Sequence, residues 1–137
     1  MLVKNSDYGR HAAQRLRETI IGWLATVRPD ARPDVVPVWF LWEDGEILIY
    51  SRPGKQKLRN IARNPRVALV LDDTRGGGDV VRVEGTARHV PGHPLATAVP
   101  AFIEKYRANI QRIGMAPEGF ATTYAEAIRI AVERIGR

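Results

Sequence analysis

The sequence predicts a mainly antiparallel β protein, curled into a barrel with helices at its periphery. Three observations carry this. Apolar, β-branched runs recur along the chain, an Asp-Gly turn joins two of them, and a short basic helix separates the third run from the fourth. Strands linked by hairpins pair antiparallel, and curling such a sheet protects its edges.

The elements follow in order. Residues 7–18 mix charge with Leu16 and predict a short helix. Residues 19–27 (TIIGWLATV) are almost wholly apolar, which predicts a strand buried on both faces. Pro29, Asp30 and Pro33 mark a turn. Residues 34–42 (DVVPVWFLW) predict one continuous second strand, joined through Glu43-Asp44-Gly45 to a third at 46–51 (EILIYS). A basic helix at 55–63 is stopped by Asn64-Pro65, and strands follow at 66–72 and 79–90 with Gly76, Gly77 and Gly78 as a flexible connection. Pro100 suits the first turn of a helix whose apolar positions are Phe102, Ile103, Tyr106, Ile110 and Ile113, and residues 114–119 close it. The C-terminal segment carries two patterns. Ala125, Ile128, Val132 and Ile135 fit a helical stripe, whereas Ile128, Ile130 and Val132 alternate as a strand would, and propensity leans towards helix.

The chain has 137 residues, which predicts a single domain over 1–137. It contains no cysteine, which excludes disulfides, a thiol nucleophile and thiolate-bound metal. No run approaches the ~18–20 apolar residues of a membrane span, so the expectation is a cytoplasmic protein without one. The net charge of +6 points to an anionic partner or to a surface charged for solubility, and the placement of the charges decides between them.

The charges concentrate. Between Arg52 and Arg66 lie Arg52, Lys55, Lys57, Arg59, Arg63 and Arg66 and no acidic residue. Lys55, Lys57 and Arg59 fall at the start of the basic helix, where the macrodipole already places positive charge and an acidic residue is the normal choice. Cations there favour a bound anion, a phosphate above all, with Ser51 and the Pro53-Gly54 turn leaving backbone N–H groups free to help. A solvated basic face is the competing reading. Pro37, within Val36-Pro37-Val38-Trp39-Phe40, removes a ladder donor from its strand. The freed neighbouring groups could meet the polar edge of a flat heterocycle between the walls of Trp39, Phe40 and Trp42. An edge proline in a core strand is the blander alternative. His11, His89 and His93 lack metal spacing and read as surface residues. No P-loop, G-x-S-x-G elbow or G-x-G-x-x-G is present, so an enzyme built on this chain would take its reactive atom from a cofactor. A nucleic-acid role would need cations interleaved with exposed aromatics, and here the two are segregated.

An ordered set of segments resembles a known family: residues 23–30 (WLATVRPD), 37–42 (PVWFLW), 50–53 (YSRP), 57–61 (KLRNI), 64–67 (NPRV) and 83–87 (VEGTA). The set is similar to the pyridoxamine 5′-phosphate oxidase-like superfamily, and within it to the F-420-dependent flavin/deazaflavin oxidoreductases of group B. That resemblance implies a split β-barrel homodimer of the FMN-binding type, with cofactor sites at the subunit interface. It implies a deazaflavin ring along Val36, Pro37, Val38 and Trp39, phosphate contacts from Ser51, Lys55, Lys57, Arg59 and Asn60, and a strand over 124–134. It also implies hydride transfer between coenzyme F-420 and an electrophilic small-molecule acceptor, a quinone, enone or tetrapyrrole. Two alternatives share the fold: an FMN-binding oxidase or carrier, and a non-enzymatic stress protein that binds F-420 or another anion. Ala31 stands where the family usually has glycine, and the loop at Gly76, Gly77 and Gly78 offers no aromatic to cover a cofactor.

Overall fold

The computed structural model describes residues 6–43, 45–73 and 75–137. Helix α1 (Asp7–Glu18) starts at Ser6, whose hydroxyl accepts from the Gly9 N–H. The strands are β1 (Gly22–Val27), β2 (Pro33–Val38), β3 (Leu41–Trp42), β4 (Glu46–Ser51), β5 (Arg66–Leu71), β6 (Arg82–Val90) and β7 (Glu126–Gly136). Helix α2 (Gln56–Arg63) lies between β4 and β5, while α3 (Pro100–Arg112) and α4 (Pro117–Thr123) lie between β6 and β7. All strands join one antiparallel sheet in the order β2-β1-β5-β6-β7-β4-β3.

The strand order explains the curl. The edge strands β2 and β3 are consecutive in the chain, with only Trp39 and Phe40 between them. A link that short spans roughly 10 Å, so the two edges must converge. The sheet therefore bends into a half-barrel that is split at the Trp39–Phe40 corner. Gly85 serves the same closure. The β6–β7 register shifts beside it, and a Cβ at Gly85 would collide with the Ala131 carbonyl oxygen.

Two apolar clusters share the sheet. The concave side buries Leu24, Phe40, Ile47, Ile49, Leu69, Val83, Ile128 and Ile130 with Leu16 of α1. The other cluster places Leu48 and Tyr50 against Phe102, Ile103, Tyr106 and Ile110 of α3 and Phe120 of α4. The strand buried on both faces is therefore β4, covered by the barrel interior on one side and by α3 and α4 on the other. The apolar run at 19–27 predicts that property for the first strand instead. There only alternate residues are covered, and Trp23 is 41% exposed.

Other departures have local reasons. The run at 34–42 forms two strands because the sheet edge turns at Trp39–Phe40. A short helix, α4, occupies part of the segment read as a closing loop, with Pro117 in its first turn. The last segment is a strand, as the resemblance implied, because it pairs with β4 and β6 at once and that pairing outweighs propensity. The strands flanking the expected hairpin pair as Leu41↔Leu48 and Trp42↔Ile47, while Asp44 itself lies outside the described residues. Ala31 adopts a φ of 69°, the left-handed conformation that favours glycine, at a cost of about 1–2 kcal/mol.

Candidate functional site

A cleft of about 390 Å³ opens at the split of the barrel. The end of β2 supplies Pro37 and Val38, the corner supplies Trp39, and the end of β4 supplies Tyr50 and Ser51. Arg52, Lys55 and Lys57 line its basic end at the start of α2, and Ile21, Ile113, Phe120 and Tyr124 complete the apolar part.

The apolar wall is a column of rings. Trp39 stacks on Tyr106 at 4.9 Å with planes 9° apart, and on Phe120 at 5.4 Å. Phe120 stacks in turn on Tyr124 at 4.7 Å. The Arg52 guanidinium caps the column, 5.0 Å from the Tyr124 centroid, and so links the aromatic wall to the cationic end. The position of Trp39 follows from its neighbour. Phe40 lies between strands, and its N–H donates to the Tyr106 hydroxyl (2.8 Å) while its carbonyl accepts from Lys105 Nζ (2.8 Å).

The cationic end is short of anions. Among the described residues, none of Arg52, Lys55, Lys57, Arg59, Arg63 and Arg66 has a carboxylate within ion-pair distance. Several cations elsewhere are matched; Arg129, for example, holds both Glu43 and Glu46 at 2.8 Å. Helix α2 begins without a side-chain cap and without an acidic residue in its first turn. Burial, followed by the repulsion of Lys55, pushes the Lys57 ammonium below the ordinary lysine value, partly offset by Asp34.

The predicted residues divide into two sets. Pro37, Val38, Trp39, Ser51, Lys55 and Lys57 converge on the cleft. Val36, Arg59 and Asn60 do not line it. Val36 packs against the barrel core. Arg59 is tied to the Gly54 carbonyl and to Gln56 Oε1, each at 2.8 Å. Asn60 is fully buried, donating to Thr26 Oγ1 (2.9 Å) and accepting from Gln56 Nε2 (2.7 Å), so its amide fastens α2 to β1. Ser51 is buried, and its hydroxyl donates to the Arg52 carbonyl at 2.8 Å. Its oxygen keeps acceptor capacity only, so an anion there would require the hydroxyl to rotate.

The sequence did not single out Ile21, Tyr50, Ile113, Phe120 or Tyr124 as site residues, and it marked Arg52 only as a member of the basic stretch. Ile113 left a trace, since it ends the apolar stripe of α3 yet is 50% exposed, as a residue at a cleft mouth would be. Each histidine has a polar partner: His11 meets Asp79 (2.7 Å), His89 meets Glu126 (2.7 Å) and His93 meets Arg129 (2.9 Å). No cluster of three or more potential metal ligands occurs among the described residues. Nor is any helix among them long and apolar enough to cross a membrane.

Residues 9–136 match the family described as pyridoxamine 5′-phosphate oxidase. Among solved structures, an F-420 reductase is similar with a TM-score of 0.69 and 27% identity, over 90% of this chain and 94% of that one. A conserved hypothetical protein from Mycobacterium tuberculosis gives a TM-score of 0.71 and 25% identity, over 95% of this chain and 82% of that one. A FAD-binding protein from Mesorhizobium loti shares the fold, with a TM-score of 0.67 and 23% identity over 92% and 90% of the two chains.

Proposed function

The chain belongs to the pyridoxamine 5′-phosphate oxidase family, and from that premise we propose an oxidoreductase that binds coenzyme F-420 in the cleft and serves an electrophilic small-molecule acceptor. The observation that carries this reading is the pairing of Arg52, Lys55 and Lys57, cations with no carboxylate partner among the described residues, with the stacked wall of Trp39, Phe120 and Tyr124 in one cleft. A flat, polyanionic molecule matches both halves. When bound, the deazaflavin supplies a hydride, which the side chains of this protein do not. The protein contributes binding and orientation: Lys55, Lys57 and the first amides of α2 neutralise the phosphate, and Pro37, Val38 and Trp39 bound the ring. The apolar residues Ile21, Ile113 and Phe120 exclude water from the acceptor side. A cytoplasmic location belongs to the same reading.

Titration of the purified protein with F-420 and with FMN tests it. Tighter binding of F-420, with oxidation of the reduced deazaflavin by a quinone, is the expected result. A preference for FMN would transfer the site to the FMN reading, since FMN also carries a phosphate for Lys55 and Lys57 to meet. Binding of neither would remove the cofactor reading altogether.

The same reading makes the protein a homodimer, and the outer face of β2, β1 and β5 supports this. Trp23 pairs with Pro37 on one side and Val70 on the other, and Ala25 pairs with Val35 and Ala68. Trp23, Val35 and Val70 are 41%, 56% and 37% exposed, a contiguous apolar patch that a second copy would cover. Pro37 belongs to both this patch and the cleft wall, so a second copy seated there would border the cofactor. Light scattering is expected to give a dimer mass for the wild type and a monomer mass for Trp23→Glu, which introduces a charge at the centre of the patch. A monomeric wild type at micromolar concentration would sink the shared-site arrangement.

A further inference from the structure

We propose that Lys105 is a positioning residue for the cleft: its ammonium, seated beneath the Trp39–Phe40 corner, holds the aromatic wall where a flat ligand must meet it. Lys105 lies on α3 and donates to the Phe40 carbonyl at 2.8 Å and to the Leu16 carbonyl at 3.4 Å. Its Nζ is 3.9 Å from the Phe40 ring centroid and 5.2 Å from that of Tyr106. The groups facing it are thus the end of α1, the corner itself and its own neighbour on α3. No carboxylate lies within ion-pair distance among the described residues.

A lysine held by carbonyls and ring faces alone burdens the fold. Burial pushes it down to about 8, with no charged side chain contributing. A lysine depressed in the folded state binds fewer protons there than in the unfolded chain. Stability therefore rises with pH from about 8 towards the ordinary lysine value, and at neutral pH the charge is a net cost. What the ammonium supplies is geometry. The Phe40 carbonyl has no strand partner, and three tetrahedral donors let one side chain bridge it to the end of α1. The adjacent residue is Trp39, stacked on Tyr106 and on Phe120, so any drift of Phe40 is passed directly to the cleft wall.

Lys105→Met and Lys105→Gln test this, with ring–ring NOEs between Trp39 and Phe120, thermal unfolding at neutral pH, and cofactor titration as readouts. In Lys105→Met the unfolding temperature is expected to hold or rise, as relief of an unpaired buried charge requires. The Trp39–Phe120 NOEs should weaken, and affinity for F-420 or FMN, whichever the wild type holds, should fall by about fivefold or more. Lys105→Gln retains an N–H donor for the Phe40 carbonyl without the charge, and should restore the NOEs and most of the affinity. Intact NOEs with wild-type affinity in Lys105→Met would overturn the proposal. So would a loss of stability in that variant, which would make Lys105 a structural residue only. The affinity readout rests on the cofactor reading, whereas the NOEs do not. If the wild type binds neither cofactor, that reading fails while the ring contacts still decide the role of Lys105.

Discussion

Tyr106→Phe is expected to destabilise the protein by about 2–3 kcal/mol while leaving every ring contact in place. The phenol oxygen accepts from the Phe40 N–H at 2.8 Å and donates to the Ile20 carbonyl at 2.7 Å. Both Phe40 and Tyr106 are fully buried, so no water replaces the lost acceptor. A buried N–H left without a partner costs about 1–3 kcal/mol, and losing the bond to Ile20 adds to this. Out of a typical total of about 5–15 kcal/mol this is a large fraction. The Phe40 carbonyl, which also lies 3.1 Å from the hydroxyl, keeps Lys105, so it is not left without a donor. Urea unfolding should show a lower midpoint with an unchanged slope, the sign of altered stability without altered compactness. The loss should also be independent of pH across the neutral range. Burial raises the phenol above its ordinary value, so the stabilising hydroxyl is fully present below about pH 10 and is lost only as pH climbs through the raised value. A change below about 0.5 kcal/mol would mean that Phe40 finds another acceptor and that the corner is held otherwise.

The contrast between Phe40 and its surroundings shows what the sequence can carry. Residues 46–51, 55–63 and 66–72 announced their elements through composition and punctuation, signals that act within a few residues. The break at Trp39–Phe40 had no such signal, because DVVPVWFLW reads as an uninterrupted strand and the groups that satisfy Phe40 come from Lys105 and Tyr106 on α3. Burial of β4 on both faces, rather than of β1, likewise depends on α3 and α4 being folded back over Leu48 and Tyr50. The cationic end of the cleft was legible for the opposite reason: a helix start rich in lysine and arginine is anomalous in itself. Which of its members line the cleft was not, since α2 turns Lys57 inward and leaves Arg59 on its own backbone turn. The partnership of Arg52 with Tyr124 joins distant parts of the chain, and no spacing rule reaches it.

Lys57→Ala is expected to weaken cofactor binding roughly ten- to hundredfold with little change in stability. Lys57 is half-buried on the cleft wall and has neither a hydrogen-bond nor an ion-pair partner among the described residues. Its charge is already disfavoured by burial and by Lys55, so removing it relieves a strain instead of breaking a contact. Linkage gives the same sign. A lysine lowered in the folded state makes stability rise with pH through the window between its folded and unfolded values, so below that window its charge contributes no stability to lose. An anion reverses the balance. A charge-assisted bond from Lys57 to a phosphate oxygen is worth on the order of 1.5–3 kcal/mol, which converts to about one to two decades of affinity. Because only the protonated lysine makes that bond, wild-type affinity should decline as pH rises towards the lowered lysine value, and Lys57→Ala should flatten the decline. Added salt should narrow the gap between the two proteins by screening the wild-type contact. Arg59→Ala should cost much less, because Arg59 is already bound to Gly54 and Gln56 outside the cleft. Arg134→Ala, whose exposed side chain lies 3.6 Å from Glu84 on β6, should change affinity less than about threefold. Calorimetric titration at low salt measures all four proteins, and equal affinities for wild type and Lys57→Ala would move the anion away from the start of α2.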